Sequence, residues 1–596
     1  MARPKKSAAN SEESIDDDSP RPRLHKLTIR NFRCIGADPV EIELDDIVVL
    51  VGPNNVGKSS ILRAYQVVMN HGSKEGHLTI DDFPNKKVDP NALPEIELET
   101  VVYDKAPGEK WVRTDPQTGE MYVREKWTWE KEGEPKKVGW LVEANDWSAN
   151  EGPWGAANVA NQRRPEPHRI EAFDSPEKQA AEIIKLLKKV LDDSIKNMKS
   201  QEGEQDTSSY ATLLQQLKTV QQTVVERANG EILSVETKIS ETIHEVFPGY
   251  KVRFDARADE ELENCISWFK ASPRLLMGPE NGHLSAIEHQ GSGARRTLLW
   301  AALRILSEQS RTTKNDRPHL LLLDEPELCL HPDAIREACR VLYDLPKAGN
   351  WQVMVTTHSP VFIDLSRDNT SIVRVERNEN GSVTSTTLFR PKRVNLDDDD
   401  RARLKMLNIC DPYIAEFFFG GKTIVVEGDT EYTAFKYVIA QSPENYKNVH
   451  IIRARGKAPI VSLCKILNQF SASYSVLHDA DKPKIQKKDG SEMTNPAWTQ
   501  NKNIQAIISQ VPDAARIRLV ASLPNIEAFF GEVLDKEKPY NAILQLTQND
   551  EVFKNVSQLL DALIDHSKEL PLNAMGWSDI DVLASQVTQN VTTPVA

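Results

Sequence analysis

Cysteine is scarce in this chain, and its six copies (Cys34, Cys265, Cys329, Cys339, Cys410 and Cys464) never form a Cys-x-x-Cys pair. That argues against a zinc site or a disulfide framework and fits a reducing cytoplasm. Long apolar runs are missing too. The longest, such as IVVLV at 47–51, are strand-sized, so no membrane partner or span is expected. There is no basic excess: 74 Lys and Arg against 88 Asp and Glu leave a net charge of −14. The balance does not announce a nucleic-acid binder, although it says little about local grooves. The basic clusters RPRLHKLTIRNFR, RARGK and KPKIQKK read most simply as solvated surface. The opening stretch lacks the apolar region of a signal peptide and reads as a disordered tail, 1–22.

What remains is a globular composition, 39% hydrophobic and 27% charged, in 596 residues, too many for one core. Strand-like segments run from about residue 24, and 90–170 alternates strands with turn-rich breaks. Over 176–246 the pattern changes. Ile184, Leu187, Leu191, Ile195 and Met198 recur at helical spacing. After a polar break, so do Leu213, Leu217, Val220, Val224, Ala228, Ile232, Val235, Ile239 and Ile243. This predicts a helical hairpin, serving as a dimerisation arm or packed on its parent domain. The acidic run NLDDDDR at 395–401 marks a boundary. The expected division is a first domain over 23–394, a linker over 395–420 and a second α/β unit over 421–596.

Gly52, Asn54, Asn55, Gly57, Lys58, Ser59 and Ser60 follow an apolar strand and precede a helical run. Such a loop closes backbone N–H groups around phosphate oxygens. Lys58 would reach the outer phosphates of ATP, and the Ser59 hydroxyl would ligate Mg²⁺. HLLLLDEPE places Asp324 and Glu325 at the end of a strand buried on both faces. Asp324 suits the Mg²⁺ shell, and Glu325 suits orienting or deprotonating water. VMVTTHSP ends a further strand at His358, where a γ-phosphate could be sensed.

A second acidic constellation lies downstream. Glu427 ends the strand KTIVV, and Glu431 follows one helical turn later. Asp479 and Asp481 end SYSVLHDAD on the same side. Carboxylates from two strand ends make a hard-oxygen site for Mg²⁺ or Mn²⁺; the plainer reading is surface charge or a helix cap.

The P-loop, LLLLDEPE and TTHSP resemble the Walker A, Walker B and switch-histidine motifs of ABC-type ATPases, in the chromosome-maintenance and recombination branch. HQGSGARRTLL, with Ser292 and Gly293, is similar to the signature loop, though it departs from Leu-Ser-Gly-Gly. The resemblance implies a homodimer or higher oligomer closing on ATP. The acidic set resembles a TOPRIM domain, in which Glu427 is general acid/base and metal ligand and Asp479 and Asp481 bind metal. Together they resemble the OLD (overcoming lysogenisation defect) nucleases: an α/β chain with an N-terminal ABC-type ATPase carrying a helical insert, then a C-terminal TOPRIM domain. The resemblance adds Glu527 as a bridging metal ligand and Lys538, with Lys536 as competitor, as a cation for the transition state.

The implied activity is ATP-regulated, two-metal cleavage of DNA in bacterial anti-phage defence, by a cytoplasmic protein whose operon partner is of the kind of a helicase or reverse transcriptase. The competing reading is an ATP-gated DNA-binding or sensor protein whose TOPRIM domain recruits partners, or one that cuts RNA, including tRNA. A topoisomerase would need a tyrosine on a separate strand-passage domain, for which no room is left, and a primase reading lacks the expected zinc-binding module.

Overall fold

The computed structural model describes residues 23–592 apart from 104–106, 156–163, 172–173, 200–231, 245–246, 256–273, 310–317, 349–350, 368, 379, 391–393, 395, 412, 470–472, 488–489 and 532–536. The tail at 1–22, the middle of the helical insert and Lys536 therefore lie outside the described residues.

Six strands form the sheet of the nucleotide region, in the order Val383–Phe389, Thr370–Arg377, Ile47–Val51, Trp351–Thr356, His319–Asp324, Glu166–Ile170. All neighbours run parallel except the first pair. Alternate side chains serve opposite cores, as the two-residue period of a strand requires. Ile47, Val49, Val51, Leu321, Leu323, Val353 and Val355 enter one apolar cluster. Val48, Leu50, Leu320, Leu322 and Met354 enter the other. Burial on both faces is why HLLLL carries no polar alternation. An antiparallel sheet containing Arg23–Arg30, Glu95–Val102 and Met121–Thr128 packs on the second cluster through Leu27, Ile29, Ile96, Leu98 and Trp127.

The helical insert begins as the helix Pro176–Lys199 and returns as helix over 232–244. Its described apolar positions Ile183, Leu187, Ile232, Val235, Ile239 and Ile243 are buried in the first cluster. These ends pack on the parent domain.

Within the segment 395–420, expected as a linker, most of the described residues form two helical elements. Asp397 caps the helix Asp398–Cys410 in a reciprocal box: Asp400 N donates to Asp397 Oδ1 at 2.8 Å, and Asp397 N to Asp400 Oδ2 at 3.2 Å. The acidic run is thus a helix start, where carboxylates suit the positive end of the dipole. A 3₁₀ turn, Ile414–Phe419, then buries Phe417 and Phe418. Truncating a buried Phe to Ala costs about 3–5 kcal/mol, so this joint is firmly held.

The C-terminal sheet has the order Val449–Arg453, Lys422–Val426, Tyr474–Asp479, Ile517–Ser522, Ala574–Gly576, parallel except for the last strand. One face (Val425, Val476, Leu519) belongs to the same apolar cluster as the nucleotide sheet. The other (Ile424, Val426, Leu477, Val520) packs on Phe435, Leu559 and Leu560. Each sheet offers the carboxyl ends of parallel strands, where α/β folds gather ligands. Among the described residues no helix is long and apolar enough to cross a membrane.

Candidate functional sites

At the carboxyl end of Ile47–Val51 the chain turns through Gly52, with φ 140°. A Cβ there would lie 2.0 Å from the Val375 carbonyl oxygen, so only glycine fits. The loop leads into the helix Lys58–Met69, through Asn55 at φ 61°. Lys58 is buried and folds back on its own loop, its Nζ donating to the carbonyls of Gly52 (2.9 Å) and Pro53 (2.8 Å). Those are weak partners that a phosphate would outcompete.

Asp324 lies level with Thr356 on the adjoining strand. Its Oδ1 accepts from Thr356 Oγ1 at 2.6 Å and from Ser59 Oγ at 3.0 Å. The serine and aspartate assigned to Mg²⁺ are therefore in direct contact, 265 residues apart in the chain. Glu325 has φ 45°, and its N–H is held by the Thr356 carbonyl oxygen at 3.1 Å. His358 Nε2 lies 3.3 Å from Glu325 Oε1. Burial and the Lys58 ammonium lower the His358 pKa, favouring a neutral ring.

Ser292 and Gly293 open the helix Ser292–Gln309, and a Cβ on Gly293 would stand 2.7 Å from the Cys329 carbonyl oxygen. Asn54 and Ser60 keep their places in the loop and in the first turn of its helix.

Sequence reasoning missed two contributors here. Glu327 accepts from Thr357 Oγ1 (2.8 Å) and from the His358 N–H (2.7 Å), with its pKa raised by burial. It sets the backbone of the histidine, and its signal was the second Glu of DEPE. Arg296 donates to the Glu325 carbonyl oxygen at 3.0 Å, tying the helix that begins at Ser292 to the catalytic candidate.

The second site forms where Lys422–Val426 and Tyr474–Asp479 lie side by side. Glu427 Oε2 accepts from the Asp479 N–H at 3.1 Å, and Asp479 Oδ1 accepts from the Ile526 N–H at 2.8 Å. Glu431 is buried in the first turn of the helix Asp429–Gln441. A Cβ on Gly428 would come within 3.1 Å of its carboxylate. Glu527, in the 3₁₀ turn Ile526–Phe529, pairs with Lys538 Nζ at 2.5 Å. The structure thus brings together Glu427, Glu431, Asp479, Asp481 and Glu527 from segments spread over a hundred residues.

In the sequence Lys457 belongs to the basic cluster RARGK, which reads as solvated surface. It is buried: its Nζ donates to the Asp479 carbonyl oxygen at 2.6 Å and to Asp481 Oδ2, and lies 3.9 Å from Glu427 Oε2. Its signal was a Gly-Lys pair at a strand-to-helix turn.

Burial, then repulsion from Glu427 and Glu527, lifts the Glu431 pKa to about 7. Burial, then Glu431 and Glu427, drives Asp479 well above the usual carboxylate range. Burial raises Glu427 as well, against the pull of Lys457. Burial is the first cause of all three shifts, and neighbouring carboxylates add to each, so the niche disfavours a full set of bare negative charges. An all-oxygen donor set of this kind fits a hard divalent cation.

The geometry defines a class: a P-loop nucleotide site on one parallel sheet and a carboxylate cation site on a second. Comparison with known proteins agrees. Residues 23–105 and 157–363 match the AAA ATPase domain, and 418–481 match the "Overcoming lysogenization defect protein-like, TOPRIM domain". The chain carries an ATPase domain followed by an OLD-like TOPRIM domain.

Two curated relatives are similar along most of the chain. The Old nuclease of Escherichia phage P2 is 22% identical over 484 residues, 77% of each chain. The OLD nuclease of Thermus scotoductus is 23% identical over 536 residues, 87% of this chain and 93% of its own. Among solved structures, the Smc head domain derived from Pyrococcus furiosus, bound to the C-terminal domain of ScpA, covers 62% of this chain and 97% of its own, at 15% identity and a TM-score of 0.37.

Proposed function

We propose that this protein is an ATP-regulated, divalent-metal-dependent endonuclease that cleaves DNA, acting in bacterial anti-phage defence as a cytoplasmic homo-oligomer. ATPase and nuclease activity are supported by the two domains and by the relatives named OLD nuclease. The observation that carries the finer reading is the meeting of these carboxylates in one niche: Glu427 Oε2 accepts from the Asp479 N–H at 3.1 Å, and Lys457 Nζ contacts Asp481 and stands 3.9 Å from Glu427 Oε2.

Mg²⁺ or Mn²⁺ held by Glu427, Glu431, Asp479, Asp481 and Glu527 would supply the Lewis-acid charge that a phosphodiester needs during attack by water. The chain's own groups do the rest. Glu427, its pKa raised, is suited to exchange a proton with the attacking water or the leaving oxygen. Lys457 fixes Asp481 and the Asp479 backbone, and Lys538, paired with Glu527, would offset charge on the phosphate oxygens.

In the ATPase domain, Lys58 would exchange the Gly52 and Pro53 carbonyls for phosphate. Ser59 and Asp324 would hold the Mg²⁺, Glu325 would orient water, and His358 would meet the γ-phosphate.

Phosphodiester hydrolysis is downhill and needs no energy from ATP, so ATP acts here as a conformational ligand. A continuous path supports this. His358 is followed by the turn Pro360–Phe362 and then Asp364, which accepts from Asn408 on the helix Asp398–Cys410. Asp400 of that helix is buried against Ser462 (2.6 Å) and Lys465 on the helix Lys457–Leu467, whose first residue holds Asp481. The test is purified protein with supercoiled plasmid and, separately, RNA, with Mg²⁺ or Mn²⁺ and with or without ATP. Metal-dependent nicking or linearisation of the plasmid is the expected result. Cleavage of neither substrate under any condition would remove the nuclease reading.

A further inference from the structure

Far from both sites, two histidines share the core of the ATPase domain. His168 lies in the edge strand Glu166–Ile170, and His319 opens the strand that ends at Asp324. The strands are parallel, with Glu166 opposite His319 and His168 opposite Leu321, so all three side chains project to one face. Both imidazoles are buried, at 3% and 2% exposure, beneath Trp351 of the next strand, whose ring centroid lies 5.6 Å from His168 and 4.6 Å from His319. His168 Nε2 and His319 Nδ1 are 3.2 Å apart. Glu166 Oε2 lies 4.0 Å from His319 Nδ1, and the three atoms fall within 4.8 Å of one another.

We propose that Glu166, His168 and His319 form a transition-metal site of the zinc class, fastening the edge strand to the strand that carries Asp324. Two imidazole nitrogens bound to a tetrahedral zinc at about 2.0–2.1 Å stand about 3.3 Å apart, close to the spacing here. The carboxylate, the more exposed member of the trio, stands 4.0 Å from His319 Nδ1, about 0.7 Å beyond the ligand-to-ligand spacing of a tetrahedral site. Two His and one Glu leave a fourth tetrahedral position for water.

The donor chemistry separates this site from the other two. Imidazole nitrogens favour Zn²⁺, Co²⁺ or Ni²⁺, whereas the carboxylate niche and the P-loop offer oxygens to Mg²⁺. The location separates them as well. His319 stands five residues before Asp324, about 16 Å along the strand, at the end of the sheet away from nucleotide. A metal there braces the strand that positions Asp324 without touching substrate. A histidine site whose members are 151 residues apart leaves no local motif.

The test uses the full chain, loaded with Zn²⁺ and gel-filtered in excess Mg²⁺ so that the oxygen sites are filled by Mg²⁺. Wild type and Asp479→Asn should both retain close to stoichiometric zinc. His168→Gln should lose it, and Glu166→Gln, at a half-exposed position that tolerates substitution, should bind at least about tenfold more weakly. Co²⁺ in place of Zn²⁺ should give the intense visible absorption of a tetrahedral nitrogen–oxygen site in wild type, weakened in Glu166→Gln. Zinc should also raise the melting temperature of wild type more than that of Glu166→Gln. If wild type retains no zinc, or if both variants retain as much as wild type, the trio is a hydrogen-bonded histidine pair beside a glutamate and the site does not exist.

Discussion

Asn408 Nδ2 donates to Asp364 Oδ1 at 3.1 Å, joining the segment that follows His358 to the helix that leads into the TOPRIM domain. Asp364 is itself fixed: its N–H donates to Tyr343 Oη at 2.9 Å, and its carboxylate accepts from Arg367. The segment after His358 is thus tied to the helix Asp398–Cys410 by a polar contact as well as through the shared apolar cluster. Asn408→Ala should leave ATP turnover and ATP-free cleavage near wild type. It should reduce the response of cleavage to ATP by about twofold or more, since residues along such paths shift coupling by about 0.5–2 kcal/mol. An ATP response identical to wild type would take Asn408 out of the path.

Asp479→Asn keeps size and hydrogen bonding but removes one charge from the niche. Strand cleavage should be abolished while ATP turnover, carried on the other sheet, survives. Calorimetric titration with Mn²⁺ should show weaker binding. Cleavage at the wild-type rate in Asp479→Asn and again in Asp481→Asn would remove these carboxylates from the active site.

Glu325→Gln removes the base beside His358 and retains the backbone bonds to Thr356. ATP hydrolysis should fall by about 10²–10⁴-fold. Nucleotide affinity, measured by equilibrium binding, should stay within a few-fold. A variant that turns over ATP normally would place the catalytic glutamate elsewhere, with Glu327 the first to examine.

His478 gives a pH signature. Its ring is fully buried next to Asp479, with Trp577 Nε1 donating to Nε2 at 3.1 Å and Nδ1 2.8 Å from the Asp479 carbonyl oxygen. Burial, then Lys457, lowers its pKa from 6.5 to about 3. The folded pKa lies below the unfolded one, so the neutral ring's contribution is whole above pH 6.5 and declines as pH falls toward 3. Denaturation between pH 6.5 and 4.5 should show a loss from this residue approaching about 1.4 kcal/mol per pH unit. His478→Gln should be less stable at pH 7.5 and flatter across that window. Parallel slopes for the two proteins would contradict the assignment.

Much of the ATPase site was legible because its chemistry sits in short motifs at strand ends, where one strand–loop–helix unit supplies a whole phosphate cradle. The TOPRIM carboxylates were legible for the same reason, as Glu-Gly-x-x-Glu and Asp-x-Asp. What escaped depends on packing between distant segments. Lys457 lies in a basic run, and only the fold turns it inward onto Asp481. Asp400 sits in an acidic run that looks like a linker, yet it lies in the first turn of a helix capped by Asp397 and is buried against Ser462. His168 and His319 meet only through the pairing of two parallel strands. Composition sees charge; it does not see which side of an element the charge faces.

The central claim is that one nucleotide site governs a separate phosphodiester site. Its most direct test is plasmid cleavage by wild type and Lys58→Ala across an ATP titration at fixed free Mg²⁺, which excludes chelation. A ligand shifts a gate only by its differential affinity for the two states, so the wild-type rate should change as ATP saturates, upward or downward. Lys58→Ala, with its metal chemistry intact, should cut at a rate indifferent to ATP. A wild-type rate that stays flat across the titration, or a Lys58→Ala rate that follows ATP as wild type does, would contradict the account.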